Sequence, residues 1–399
     1  MPDTVGELGD LVRKTADAGH AVYPVGGQTA LGVGFPPSKP GVAVDLRGLS
    51  TVIDYPARDM TITVQTGITL SQLRELLATE NQRLPVDVPL SHQATLGGAL
   101  AVNASGPRRQ AFGTWRDYVI GITTINDEGK ETKAGGRVVK NVAGYDICKL
   151  HIGALGTLGI ISQVTLKVRP LPEEWALITL GCDADALGPL LETVHASRIR
   201  PVCVEAVNRH GAQALIRAGG GPLPDTDWVL VIGFEDSEEA VSWQVRHFLR
   251  EAPEPSMSSL QVLAGAATDS LWHALVDLPS LSGAIVSFKA NLLPDHVAEF
   301  CKLAAGADIR IQAHAGVGIV CGHLTGEWTL ERAQPYLKQL LHAATAAQGN
   351  LVLTTCPPHW KQTLPVWGAE RNDRWLMRQV KEKLDPRGIF NPGRFVAGI

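Results

Sequence analysis

Three glycine-rich segments in the first 160 residues restrict this chain more than any other feature. They are Pro24-Val25-Gly26-Gly27-Gln28-Thr29, the run from Ala94 to Gly106, and Gly153-Ala154-Leu155-Gly156-Thr157-Leu158-Gly159-Ile160. Residues without Cβ leave the backbone open to close approach. In the first segment, N–H groups at a strand end converge with the side chains of Gln28 and Thr29, as binding a small anion such as a diphosphate requires. In the second, Thr95, Leu96, Gly97, Gly98, Asn103, Ser105 and Gly106 form a surface on which a planar or extended ligand can lie. Taken singly, each segment also looks like an ordinary turn or a small-residue helix. The third resembles a dinucleotide fingerprint. However, it enters a strand instead of opening a helix, and no acidic residue follows at the required distance, which excludes a nicotinamide Rossmann unit.

The intervening sequence alternates helix and strand. Residues 5–20 carry Val5, Leu8, Leu11, Val12 and Ala16 on one helical face, and Gly19 stops the pattern. Strands are expected at 21–25, 41–45, 61–65, 118–126 and 159–168, and a helix at 70–79. Asp127-Glu128-Gly129 is a hairpin turn. The stiff Arg169-Pro170-Leu171-Pro172 marks a boundary. We therefore expect domains at 1–171, 172–347 and 348–399. In the middle one, helices at 184–194 and 238–248 would cover a small antiparallel sheet with strands at 202–207, 228–234, 283–290 and 309–313. A last helix is expected at 372–384.

Charge and cysteine content remove whole classes of function. The chain has 36 basic and 40 acidic residues, net −4, with no basic surplus for nucleic acid. No apolar run is long enough to span a bilayer, and the N-terminus does not resemble a signal peptide. The six cysteines form no CxxC pair, so we expect no iron–sulfur or zinc site held by this chain alone.

The conjunction of segments resembles the FAD-binding domain of the vanillyl-alcohol oxidase/p-cresol methylhydroxylase superfamily. The resemblance runs from about Gly19 to Pro170. It includes Val44-Asp45-Leu46, Thr61–Gly67, Thr95–Gly106, Phe112-Gly113 with Asp117, Lys140-Asn141-Val142-Ala143-Gly144-Tyr145-Asp146, and Gly156–Gly159. Val366-Trp367-Gly368 and the tail Asp385-Pro386-Arg387-Gly388-Ile389-Phe390-Asn391-Pro392-Gly393 are similar to segments of its D-lactate- and glycolate-oxidising members. The resemblance implies an α+β chain: a PCMH-type FAD-binding domain of two small α/β subdomains, an α+β cap, and a C-terminal segment returning to the flavin domain. It implies noncovalent FAD, since no Cys or His stands in a linking position. The implied contacts are Pro24, Val25, Gly26, Gly27, Gln28, Thr29, Pro89, Thr95, Leu96, Gly97, Gly98, Asn103, Ser105, Gly106, Gly113, Asp117, Gly156, Thr157, Gly159, Ile160, Asn391 and Arg394.

For the cap, catalytic relatives carry His-x-Gly-Asp-Gly-Asn-x-His where this chain has His314-Ala315-Gly316-Val317-Gly318-Ile319-Val320-Cys321. Three polar positions are lost, so no metal is expected. His314 and His323 are candidate bases, beside a structural alternative. Arg310 and Lys289 are candidate carboxylate holders, and Arg108-Arg109 candidate phosphate or partner contacts. The resemblance implies a cytoplasmic subunit of a glycolate-oxidising complex, peripheral at the inner membrane through its partners. Those partners would be a homologous catalytic flavoprotein and an iron–sulfur subunit. A self-sufficient D-2-hydroxyacid dehydrogenase and a non-catalytic, flavin-loaded assembly subunit stay open.

Overall fold

The computed structural model describes residues 1–137, 145–252, 259–281 and 283–399. The Lys140–Gly144 part of the resemblance lies outside the described residues. The chain divides into two compact units. One comprises Met1–Ser105, Gly113–Leu171 and Glu370–Ile399, and the other Gly106–Phe112 and Pro172–Ala369.

The first unit opens with the helix Val5–Asp17, whose N-cap Thr4 accepts from the Glu7 N–H. The helix stops short of the expected residue 20, because Ala18 caps it and Gly19 turns left-handed at φ 74°. Its buried face, Leu8, Val12 and Ala16, packs with Val22, Val44 and Phe390. Two parallel strands follow, Ala21–Val25 and Gly41–Asp45. The C-terminal tail lies beside the first of them: Val22 donates to the Ile389 carbonyl at 2.8 Å, and Asn391 donates to the Val22 carbonyl at 3.1 Å.

A five-stranded antiparallel sheet completes this unit, in the order Val52–Asp54, Thr61–Gln65, Ile160–Lys167, Val119–Ile125, Glu131–Gly135. The expected hairpin is present. Asn126 Oδ1 accepts from the Glu128 and Lys130 N–H groups, and Gly129 takes φ 73°. The helix Leu70–Ala78 starts at a Thr69/Gln72 capping box.

The tail is anchored by a buried ion pair at the end of the helix Arg374–Leu384. Lys381 Nζ reaches Asp385 Oδ2 at 2.5 Å, the Thr157 carbonyl at 2.7 Å and the Phe390 carbonyl at 2.9 Å. Asp385 in turn accepts from the Ile389 and Phe390 N–H groups. Trp375 lies on this helix and is 61% exposed.

The second unit is built on one eight-stranded antiparallel sheet. Its order is Gln261–Ala264, Glu174–Cys182, Trp228–Asp236, Cys203–Asn208, Ile309–His314, Ile319–Thr325, Ala284–Asn291, Asn350–Thr355. Along Ile309–His314 the alternation is clean: Ile309, Ile311 and Ala313 enter the larger core, and Arg310, Gln312 and His314 face the other way. This sheet is much larger than the small one expected. Glycine motifs at 316–322 and turn-like residues near 355 hide two of its strands from a periodicity search. The expected boundary at 347/348 is corrected as well. Asn350–Thr355 pairs with Ala284–Asn291 as an edge strand of this sheet, and the second unit runs to Ala369.

The segment Gly106–Phe112 belongs to this unit because Arg108 is held by it. The guanidinium bonds Glu235 through Nε at 2.7 Å and lies 4.0 Å over the Trp272 ring. Among the described residues, no helix is long and apolar enough to cross a membrane.

Candidate functional site

All three glycine-rich segments line a single cleft in the first unit, with about 820 Å³ of free space when the open solvent at its mouth is included. Pro24, Gly26, Gly27, Gln28 and Thr29 form one wall, and Thr95, Gly97 and Gly98 a second. Gly156, Gly159 and Ile160 form a third, with Asn391 and Arg394 from the tail. The backbone is crowded where these walls meet. A Cβ on Gly27 would stand 1.8 Å from the Gln93 carbonyl, and one on Gly26 would stand 2.1 Å from Thr95 Oγ1. Gln28 adopts φ 60°, a left-handed turn at the strand end.

The polar lining fits an anionic, hydrogen-bonding cofactor. It contains no carboxylate, and Arg394 is its cation. Arg394 Nη2 donates to the Leu31 and Val33 carbonyls at 2.8 Å each, while its Nε is buried without a partner. Asn391 Nδ2 donates to the Leu155 carbonyl at 2.6 Å, which leaves its Oδ1 buried and unmatched. Such orphaned atoms are rare in folded chains and point to a missing partner.

Several residues expected as contacts are not among those lining this cleft. Val25 uses its carbonyl to accept from Leu46 N–H, and Leu96 is core. Asn103 is a helix C-cap at φ 51°. Asp117 caps Thr114 and sits against Gly113, so these two form a local turn. Thr157 points its hydroxyl at the Ala154 carbonyl. Pro89 and Ser105 do not line the cleft, and Gly106 belongs to the second unit. Lining residues that the sequence reading missed are Ala30, Leu31, Leu46, Thr66, Ala101, Val102, Leu155 and Ile161. Thr66 carries a usable signal: its carbonyl accepts from Gly97 N–H at 2.8 Å, so two of the motifs named above meet there.

The histidines lie on the polar face of the second unit's sheet. His314 Nδ1 sits 2.7 and 2.9 Å from the two carboxylate oxygens of Glu205, which is its direct cross-strand neighbour. Both side chains are buried, at 8% and 0% exposure. Burial disfavours charge on His314, but Glu205 and then Cys321 outweigh it, so the ring is raised well above its ordinary value and holds its proton. Gln312 Nε2 steadies the same carboxylate at 2.8 Å.

His323 is the opposite case. Burial, followed by the charge of Arg310 directly across the strands, lowers it to about 4. Its Nδ1 meets Ser287 Oγ at 2.9 Å, and its Nε2 is sealed from solvent. Arg310 donates to the Leu281 carbonyl at 3.0 Å and is 6% exposed. Lys289 stands across from Cys321. Its pKa is lowered by burial, raised by Cys321 and lowered by Arg109.

Glu205 was absent from the sequence candidates because a strand glutamate has no local signature. Arg108 is engaged by Glu235 and Trp272 of its own unit. Among the described residues, no group of three or more His, Cys, Asp or Glu side chains is placed to hold a metal.

Comparison with known proteins fits this geometry. Residues 1–135 match the FAD binding domain, and residues 369–395 match the C-terminal domain of FAD linked oxidases. The D-2-hydroxyglutarate dehydrogenase of Xanthomonas citri pv. viticola is 32% identical over 421 residues, spanning 99% of this chain and 88% of that protein. The chain belongs to the FAD-linked oxidase family. It is accordingly an FAD-linked oxidoreductase, with FAD as its cofactor. Other members of the family are similar along nearly the whole chain. Glycolate oxidase subunit GlcD of Bacillus subtilis is 27% identical over 100% of this chain and 89% of its own. Glycolate oxidase subunit GlcE of Escherichia coli is 28% identical over 90% of this chain and 88% of its own. The solved structure of p-cresol methylhydroxylase with substrate bound superposes with a TM-score of 0.70 at 16% identity, covering 98% of this chain and 87% of the other. This FAD-linked oxidase therefore has the p-cresol methylhydroxylase-type fold.

Proposed function

We propose that this chain is the E-type FAD-binding subunit of a glycolate-oxidising complex, relaying electrons from a homologous catalytic flavoprotein to an iron–sulfur subunit. Its relatives oxidise 2-hydroxy acids by name, which supports FAD-dependent oxidation of that class. The relay role rests on the Glu205–His314 pair. A base must accept the substrate's hydroxyl proton as hydride leaves. His314 already holds its proton against Glu205, and His323 on the same face has its remaining nitrogen sealed. Neither ring offers an acceptor to a small acid.

In the first unit, Gly26, Gly27, Thr95, Gly97 and Gly98 would cradle the diphosphate, with Asn391 and Arg394 hydrogen-bonding from the tail. FAD would supply reversible acceptance of hydride or single electrons. The residues of this chain would orient it, and Arg394 would add one positive charge to its site.

Anaerobic addition of glycolate or D-lactate to the isolated, flavin-loaded chain tests the relay. The flavin absorbance should stay oxidised with either acid and bleach once the catalytic partner is added. Bleaching by the chain alone would instead support a self-sufficient dehydrogenase.

We also infer that FAD is held noncovalently. Among the described residues, no cysteine or histidine lines the cleft, whereas Cys148 and His151 are buried outside it. Acid precipitation should release all the flavin into the supernatant, and colour left in the pellet would refute this.

A further inference from the structure

We propose that Cys321, flanked by His314 and Lys289, is a peroxide-reactive thiol site on the polar face of the second unit. This rests on membership of the FAD-linked oxidase family, whose reduced flavins give hydrogen peroxide when oxygen takes their electrons. It does not depend on the relay role.

Five observations carry the proposal. Cys321 is partly exposed, whereas Cys148, Cys182, Cys203, Cys301 and Cys356 are buried. It lies diagonally across the strand pair from His314, on the same face: Gln312 is opposite Cys321, and His314 is opposite Ile319. Glu205 orients the imidazole from behind at 2.7 Å, so carboxylate, imidazole and thiol stand in the sequence of a nucleophile, its proton partner and an orienting acid. Lys289, the direct cross-strand neighbour of Cys321, adds a second cation. Reactive cysteines stand beside such cationic groups in partly exposed sites. The oxygen acceptor of Gln312, directly opposite, is buried and unpaired, ready for a new hydroxyl.

The step balances. The thiolate sulfur attacks one oxygen of hydrogen peroxide, the O–O bond breaks and an S–O bond forms. The departing hydroxide takes the proton of the His314 imidazolium and leaves as water. Sulfur loses two electrons, the peroxide gains them, and Cys321 becomes a sulfenic acid that a small thiol can reduce.

The test uses the whole flavin-loaded chain, hydrogen peroxide at about one equivalent, dimedone as the trap, and peptide mapping. The adduct should form on Cys321 ahead of the other five cysteines and vanish in Cys321→Ser. In His314→Asn it should form about tenfold more slowly. That substitution leaves Glu205 buried without its partner and endangers the fold, so Lys289→Gln provides an independent arm. It keeps the Glu205–His314 pair and should slow labelling about threefold. Labelling spread evenly over the cysteines overturns the proposal, as does an unchanged Cys321 rate in folded His314→Asn or in Lys289→Gln.

Discussion

Lys381→Met is expected to destabilise the chain by about 3–5 kcal/mol, the usual cost of removing one partner from a buried ion pair. It should also empty the flavin cleft. Asp385 is fully buried and Lys381 nearly so, and the ammonium satisfies three oxygens at once. Methionine fills the stem's volume but leaves the Asp385 charge without its cation. Two of the three oxygens belong to the segments that carry the cleft: the Thr157 carbonyl beside the third glycine segment, and the Phe390 carbonyl directly before Asn391. Urea unfolding followed by circular dichroism measures the first effect, and the ratio of flavin to protein absorbance measures the second. A Lys381→Met, Asp385→Leu double variant should recover part of the lost stability, because it removes the stranded charge. A single variant with an unchanged midpoint and full flavin would show that the pair anchors nothing.

Gly98→Asp should abolish flavin loading while leaving the fold intact. A Cβ at Gly98 meets only Thr95 Oγ1, at 3.3 Å, so the carboxylate extends into the cleft. The neighbouring glycine is a poorer choice. At Gly97 a Cβ already lies 3.0 Å from that of Thr66, so an effect on binding would be mixed with strain. A carboxylate placed where a diphosphate lies costs several kcal/mol by like-charge juxtaposition. FAD affinity should fall by about a hundredfold or more. Flavin titration of the apoprotein reads the loss, and a thermal melt confirms the fold. Wild-type affinity in a folded variant would move the diphosphate to another wall.

How much of this was legible beforehand depended on the range of the interactions. The first unit's strands, its hairpin and its glycine walls follow from local chemistry. Gly129 and Asn126 specify a turn by themselves, and Thr69 and Gln72 a helix start. The cleft's glycines were visible because nothing else lets chain segments meet so closely. Glu205 was not visible, since its role exists only when Cys203–Asn208 pairs with Ile309–His314 across more than a hundred residues. Arg108 was misjudged for the same reason. A basic pair after a small-residue run looks solvated until Trp272 and Glu235 close around the first arginine. Gly113 and Asp117 carry a local signal as well, since the Asp117 carboxylate caps the Thr114 N–H beside Gly113.

The position of Lys381 in the chain also has a consequence for biosynthesis. Its partner at Thr157 is 224 residues earlier, and the Pro172–Ala369 part of the second unit is translated in between. While a ribosome is still making residues 172–369, the emerged glycine walls lack Asn391, Arg394 and the buried clamp that holds the tail. The unfinished first unit must wait, with its apolar cleft exposed, through the synthesis of another domain. Cofactor capture is thereby a late event that awaits synthesis of residues 370–399. A nascent chain stalled before residue 370 should bind no FAD, however well its first 171 residues have folded.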